Sequence, residues 1–158
     1  MSSAPAMAAD PTTASAAVQV ALVGNPNTGK STLFNRLTGV QQRTGNYPGV
    51  TVEHKTGVMR VGDRNFDVVD LPGSYSLAAA SADERIVIDA LTGRIPGTRQ
   101  PDVVVCVLDA TNLLRNLFLA SQIAETGVPV VLAANMYDAA REQGVEIDFE
   151  ALSERLGV

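Results

Sequence analysis

The sequence predicts an α/β fold: a mostly parallel sheet with helices on both faces and one antiparallel edge strand. Three observations carry this. Short runs rich in Val, Leu and Ile alternate with segments whose apolar residues recur at helical spacing. A glycine-rich turn separates the first run from the first helix, and Gly62-Asp63 divides two strand-like segments into a hairpin.

At 158 residues the chain suits one domain with a sizeable core, and 46% apolar residues exclude a disordered chain. A net charge of −5 excludes a general nucleic-acid binder, which needs clustered Lys and Arg to hold phosphates. Cys106 is the only cysteine, so no intrachain disulfide forms; within Val103-Val104-Val105-Cys106-Val107-Leu108 it reads as a packed core thiol. His54, the only histidine, reads as a strand-surface residue. No apolar run approaches the ~20 residues that cross a bilayer, so this stretch reads as soluble. Residues 1–17, rich in Ala, Ser and Thr and interrupted by Pro5, Asp10 and Pro11, read as a disordered tail without the features of a secretion signal.

The first strand is Val18-Gln19-Val20-Ala21-Leu22-Val23. It breaks into Gly24-Asn25-Pro26-Asn27-Thr28-Gly29-Lys30-Ser31, which matches G-x-x-x-x-G-K-[ST] at every fixed position. Such a loop lets backbone N–H groups converge on phosphate oxygens where the dipole of the following helix also favours an anion. Lys30 would reach the terminal phosphates, and the Ser31 hydroxyl would meet a magnesium ion on the same phosphates. Leu33, Phe34 and Leu37 give the helix that follows its buried face.

Residues 39–49 are polar and glycine-rich and read as a mobile loop. The hairpin follows, with a first strand over 50–61 at the sheet edge and a second over 64–71 entering the sheet. Asp70 closes that second strand, at the end where open α/β sheets gather ligands, and is placed to hold a magnesium-bound water. Ser81-Ala82-Asp83-Glu84 signals a helix start, with Ile86, Val87, Ala90 and Leu91 on its apolar face. A buried strand over 103–108 leads through Asp109-Ala110-Thr111-Asn112 into a helix carrying Leu113, Leu114, Leu117, Phe118 and Ile123, closed near Gly127. The strand over 128–134 ends at Asn135-Met136-Tyr137-Asp138. A weak helix over 139–143 and a last one, capped by Asp148 and bearing Phe149, Leu152 and Leu156, complete the chain.

The phosphate loop, Thr51, Asp70-x-x-Gly73 and Asn135-x-x-Asp138 stand in the order found in small guanine-nucleotide-binding domains. The Asp138 carboxylate can accept from both N1–H and the exocyclic amine of guanine, a donor pair that adenine lacks. The wording of Gly24–Asn35, Gly45–Glu53, Asp70–Leu77, Asp109–Leu113 and Asn135–Asp138 resembles the cytosolic GTPase domain of the FeoB-type ferrous-iron transport proteins, from about residue 18 to the end. Met136 is telling, because most related GTPases carry Lys there.

The resemblance implies a Ras-like P-loop GTPase domain over residues 18–158, truncated at its C-terminus. The base-covering loop and the downstream helical and membrane regions of the family are not in the sequence. It implies a nucleotide site formed by Gly24, Asn25, Pro26, Asn27, Thr28, Gly29, Lys30, Ser31 and Thr32. Gly49, Val50 and Thr51 would join it from one switch loop, Asp70, Leu71, Pro72 and Gly73 from the other, and Asn135, Met136 and Asp138 at the base. Within it, Thr51 would complete the magnesium shell with Ser31 and a water on Asp70, and Gly73 would contact the γ-phosphate through its N–H. Residues 40–50 and 72–82 would be switch loops, ordered by GTP and released after hydrolysis.

Ser74 stands where Ras-like enzymes carry the glutamine that orients the attacking water, and serine is too short for that reach. In similar GTPases a potassium ion compensates, held partly by the asparagine corresponding to Asn27. The resemblance therefore implies slow, potassium-stimulated hydrolysis, with Asn27, Lys30, Thr51 and Gly73 as the catalytic set. A purely loop-stabilising Asn27 is the competing reading. The implied whole is a GTP-driven switch on the cytoplasmic face of the bacterial inner membrane, with the transporter's own helical and membrane regions as partners and self-association open. Two rival functions are a ribosome-assembly or RNA-associated GTPase, disfavoured by Met136, Leu71 and the acidic balance, and a P-loop kinase, disfavoured by Asn135-x-x-Asp138.

Overall fold

The computed structural model describes residues 17–158, so the tail expected over 1–17 lies outside the described residues except for Ala17. Six strands form one sheet: β1 (Val18–Gly24), β2 (Gln42–Asn46), β3 (Glu53–Val61), β4 (Arg64–Asp70), β5 (Val103–Asp109) and β6 (Val130–Asn135). Their order is β2-β3-β4-β1-β5-β6. The helices are α1 (Lys30–Thr38), α2 (Ala82–Leu91), α3 (Leu113–Ala124), α4 (Tyr137–Glu142) and α5 (Phe149–Leu156), and one 3₁₀ turn, Ala110–Asn112, leads into α3.

Strand β1 is the centre of this arrangement and shows why. Its side chains alternate between the two faces of the sheet. Ala21 and Val23 join the larger core with Val87, Leu91, Leu108, Leu119 and Ile123, beneath α2 and α3. Val20 and Leu22 join a smaller one with Phe34 and Val68, beneath α1. Burial on both faces requires apolar residues at successive positions, the pattern of an interior parallel strand. Accordingly β1 pairs in parallel with β4 on one side and β5 on the other, with Leu22 opposite both Asp70 and Val105. Cys106 lies fully buried in β5, and burial pushes its thiol up to about 12, which fits the core role expected for it.

The hairpin is present, with Val61 opposite Arg64 across Gly62-Asp63. Two details differ from the sequence reading. The segment expected as a loop over 39–49 contains a strand, because Gln42–Asn46 pairs antiparallel with Glu53–Gly57. Strand β3, the one that runs against the rest, therefore lies one place in from the edge that β2 occupies. Polar side chains hid β2 because an edge strand leaves most of its surface to water, so it carries no apolar alternation.

Helix α2 starts with a complete capping box: Glu84 N–H donates to Ser81 Oγ at 3.1 Å, and Ser81 N–H donates to Glu84 Oε2 at 3.3 Å. Asp148 caps α5 by accepting from Ala151 N–H at 2.9 Å. Among the described residues no helix is long and apolar enough to cross a membrane.

Candidate functional site

The carboxyl end of β1 opens between β4 and β5, the place where open α/β sheets leave a crevice. There the chain turns through residues 25–29 into α1. Asn27 and Gly29 both take left-handed backbone angles, φ 65° and 82°. At Gly29 an added Cβ would also lie 2.2 Å from Asn135 Nδ2 and would displace that amide. An added Cβ at Gly24 would lie 2.6 Å from the Val107 carbonyl oxygen on β5. Gly24 is thus required by close approach of the neighbouring strand, and Gly29 by its left-handed backbone.

Inside the loop, Thr28 is buried and its hydroxyl donates to the Asn25 carbonyl at 3.0 Å, fixing the turn. Asn25 is 3% exposed; its Nδ2 reaches the Arg115 carbonyl at 3.4 Å, and its Oδ1 is buried with no partner. Lys30 forms an ion pair with Asp70 at the end of β4, both almost wholly buried. The Ser31 hydroxyl donates to the other Asp70 oxygen at 3.4 Å, a long contact. An α-helix leaves its first N–H groups without intrahelical partners, so a concentrated positive potential faces outward here.

A cleft of about 460 Å³ lies over this loop, lined by Asn25, Pro26, Asn27, Gly29, Lys30, Ser31, Thr32, Gly73 and Asp83. Eight of these are residues the sequence reading named. Asp83, in the first turn of α2, is the exception; its place in a helix-start signal concealed its position at the cleft. Gly73 approaches Pro26 so closely that an added Cβ would lie 3.2 Å from its Cα. Ser74 N–H donates to the Gly24 carbonyl at 3.1 Å, and its buried hydroxyl donates to the Ser76 carbonyl at 2.7 Å. The Ser74 hydroxyl is therefore committed to its own turn.

Other named residues stand elsewhere. Gly49, Val50 and Thr51 line a separate depression with Asn46, Tyr47, Val52 and Ala82. Leu71 is 1% exposed in the larger core, and its N–H donates to the Leu22 carbonyl at 3.1 Å. Asn135 ends β6 and donates through Nδ2 to the Thr28 carbonyl at 2.9 Å. Met136 follows in a left-handed conformation, φ 57°, which turns the chain into α4 and places the exposed Asp138 in that helix's first turn. Sequence reasoning named Asn135 for the base; its hold on the phosphate loop appears only once β6 is seen beside β5.

The helix N-terminus and Lys30 give this cleft the chemistry to hold an anion. A family model described as "Ferrous iron transport protein B" matches residues 18–158. The Fe(2+) transporter FeoB of Salmonella typhimurium is 47% identical over 142 residues, which are 87% of this chain and 18% of that protein. A Fe(2+) transport protein A/Fe(2+) transporter FeoB fusion protein of Porphyromonas gingivalis is 45% identical over 141 residues, 89% of this chain and 16% of that one. The chain therefore spans less than a fifth of the length of these curated relatives. Among solved structures, an S. thermophilus NFeoB mutant bound to GDP superposes with a TM-score of 0.81 at 45% identity, covering 89% of this chain and 53% of that one. The cytosolic domain of T. maritima FeoB in GDP form II gives 0.82 at 42% identity, covering 89% and 54%.

Proposed function

The chain belongs to the ferrous iron transport protein B family, and from that premise we propose that it binds and hydrolyses GTP as the switch domain of a ferrous-iron transporter. The observation that carries this reading is the joined site: a phosphate loop at the start of α1, with Lys30 and Asp70 paired beneath it and Asn135 tying it to the guanine-type motif.

On this reading the phosphates of GTP lie against the first N–H groups of α1 and accept from Lys30, which Asp70 holds in position. Ser31 and Asp70 offer a hydroxyl and a carboxylate oxygen, the hard donors that suit magnesium. Among the described residues no cluster of three or more acidic, His or Cys side chains forms a protein-only metal cage. A magnesium ion held by Ser31 and Asp70 would keep waters and phosphate oxygens in its shell and would neutralise developing charge. Thr51 is exposed and lies outside the phosphate cleft, so GTP binding draws the loop over 47–52 inward and hydrolysis releases it. Gly73 N–H meets the γ-phosphate from the other side.

Ser74 does not orient the attacking water, because its short side chain is buried, 2% exposed, and gives its proton to the Ser76 carbonyl. Asn27, exposed at the cleft rim, offers a side-chain amide oxygen that suits a potassium ion, whose charge would act where the glutamine is missing. Intrinsic hydrolysis is therefore slow and faster in potassium than in sodium. The domain works at the cytoplasmic face of the membrane that holds the transporter's other regions. The RNA-associated alternative fits neither the family nor the net charge of −5.

Competition binding tests the reading. Labelled GDP should be displaced by GTP and GDP and not by ADP or ATP at a thousandfold excess, and phosphate should be released to water. Preferential displacement by ADP would replace this reading with a kinase.

A further inference from the structure

The segment between β4 and α2 forms neither strand nor helix, so its backbone groups must find partners elsewhere. It carries Gly73, which lines the phosphate cleft against Pro26. The Ser74 N–H donates to the Gly24 carbonyl on one side of the segment, and Glu84 accepts from Ser76, Ala80 and Ser81 on the other. Between these fastenings, α3 supplies the rest. The Leu77 N–H donates to Gln122 Oε1 at 2.9 Å, while the Leu77 side chain packs against the larger core that α3 covers. The Arg115 guanidinium lies over the Tyr75 ring, 4.3 Å from its centroid.

Arg115 and Gln122 are seven residues apart, close to two full helical turns, so they stand on one face of α3 roughly 10 Å from each other. Arg115 also gives its carbonyl to Asn25 of the phosphate loop at 3.4 Å. Helix α3 thus reaches both walls of the cleft, the phosphate loop and the segment that carries Gly73. The Arg115–Tyr75 stack lies at the surface, with Tyr75 42% exposed. Gln122 is half-buried, and among the described residues it makes the one hydrogen bond by which α3 holds the segment's backbone. We propose that Gln122 is a positioning residue for the terminal phosphate: by fixing Leu77 it fixes where the Gly73 N–H points, and so sets how strongly the site favours GTP over GDP. This role rests on the nucleotide reading above and adds to it a residue that does not line the cleft. GDP has no γ-phosphate, so only GTP registers a misplaced Gly73.

Gln122→Met keeps the length of the side chain and removes the acceptor, whereas Gln122→Glu keeps an acceptor oxygen. A non-hydrolysable GTP analogue with a β,γ-imido bridge should bind Gln122→Met roughly fivefold more weakly than the unaltered chain, the size of one lost hydrogen bond, while GDP affinity stays within about twofold. Gln122→Glu should restore the analogue's affinity. In the nucleotide-free chain the Leu77 amide should exchange with deuterium faster in Gln122→Met than in the unaltered chain, and the Leu71 amide, bonded to Leu22, at an unchanged rate. An equal loss for both nucleotides, no loss for either, or an unchanged Leu77 exchange would overturn the proposal and leave nucleotide binding standing. Binding of neither nucleotide by the unaltered chain would instead remove the nucleotide reading, and this role with it. Should Gln122→Met not fold, protection of the Leu77 amide in the unaltered chain and in Gln122→Glu decides, and an unprotected amide counts against the hold.

Discussion

The side-chain amide of Asn135 donates to the carbonyl of Thr28 at 2.9 Å, joining residues 107 positions apart. One side chain thus connects the end of β6, where a nucleotide base would be read, to the loop that would hold its phosphates. Because Asn135 also fills the space beside Gly29, the two segments are fitted to each other before any ligand is considered.

Asn135→Ala should therefore lower the stability of the nucleotide-free chain by about 1 kcal/mol, the net worth of one hydrogen bond, and also weaken GDP binding. Asp138→Ala should leave stability within about 0.5 kcal/mol, since Asp138 is exposed, while reducing the preference for guanine over hypoxanthine. Urea unfolding and competition binding on both variants check this. Equal stability losses would contradict the separation of roles.

The Lys30–Asp70 pair is nearly inaccessible to water, with side chains 9% and 8% exposed. Removing one member leaves an uncompensated buried charge, so Lys30→Met and Asp70→Asn should each destabilise by roughly 3 kcal/mol. The double variant should lose clearly less than the sum, because the second change removes the charge that the first left bare. A double-mutant cycle by urea unfolding measures the difference.

Turnover of GTP should be several-fold faster in potassium than in sodium at matched ionic strength. Asn27→Ala should abolish that difference and spare GDP affinity, whereas Ser74→Ala should leave the potassium effect in place, because the serine hydroxyl is already bonded to Ser76. Phosphate release assays in paired buffers decide; equal rates in the two salts would remove potassium from the mechanism.

Glu84 links the start of α2 to the loop before it. The Ser76 hydroxyl, donating at 2.7 Å, and the N–H groups of Ala80 and Ser81 together hold its carboxyl below the usual 4.5, against a smaller opposing effect of burial. A carboxylate whose value is lowered in the folded chain stabilises at pH above the unfolded value, and that contribution is lost as the pH falls through the folded one. The stability gap between the unaltered chain and Glu84→Gln should therefore be constant from pH 7 down to about 5 and close at more acid pH. Urea midpoints measured across that range test the sign.

Much of this was legible in the sequence because it was local. Val18–Val23 announces a strand by composition, Ser81 and Glu84 announce a cap by spacing, and the phosphate loop announces itself by glycine and lysine positions. What escaped was set by distant neighbours. Gln42–Asn46 is a strand only because β3 lies beside it, and nothing in its polar side chains records that. Gln19, Tyr47 and His54 lie far apart in the sequence, and only the fold brings them to the lining of one cavity. Asp83 reads as a first-turn acid of α2 until the fold carries that turn to the cleft.

Strand β2 also sets a leash. Its paired register with β3 ends at Asn46 opposite Glu53, and beyond it Tyr47 N–H donates to the Val52 carbonyl at 3.0 Å, one further bond that must open before Thr51 travels. Thr51 stands two positions before Glu53, and a fully extended chain gains at most about 3.6 Å per residue, so Thr51 can sweep a radius of roughly 7 Å while that last pair holds. Any longer journey must unzip the ladder one rung at a time. The hairpin's register is in that sense a ruler, and lengthening or shortening it by one pair would change how far the threonine can travel.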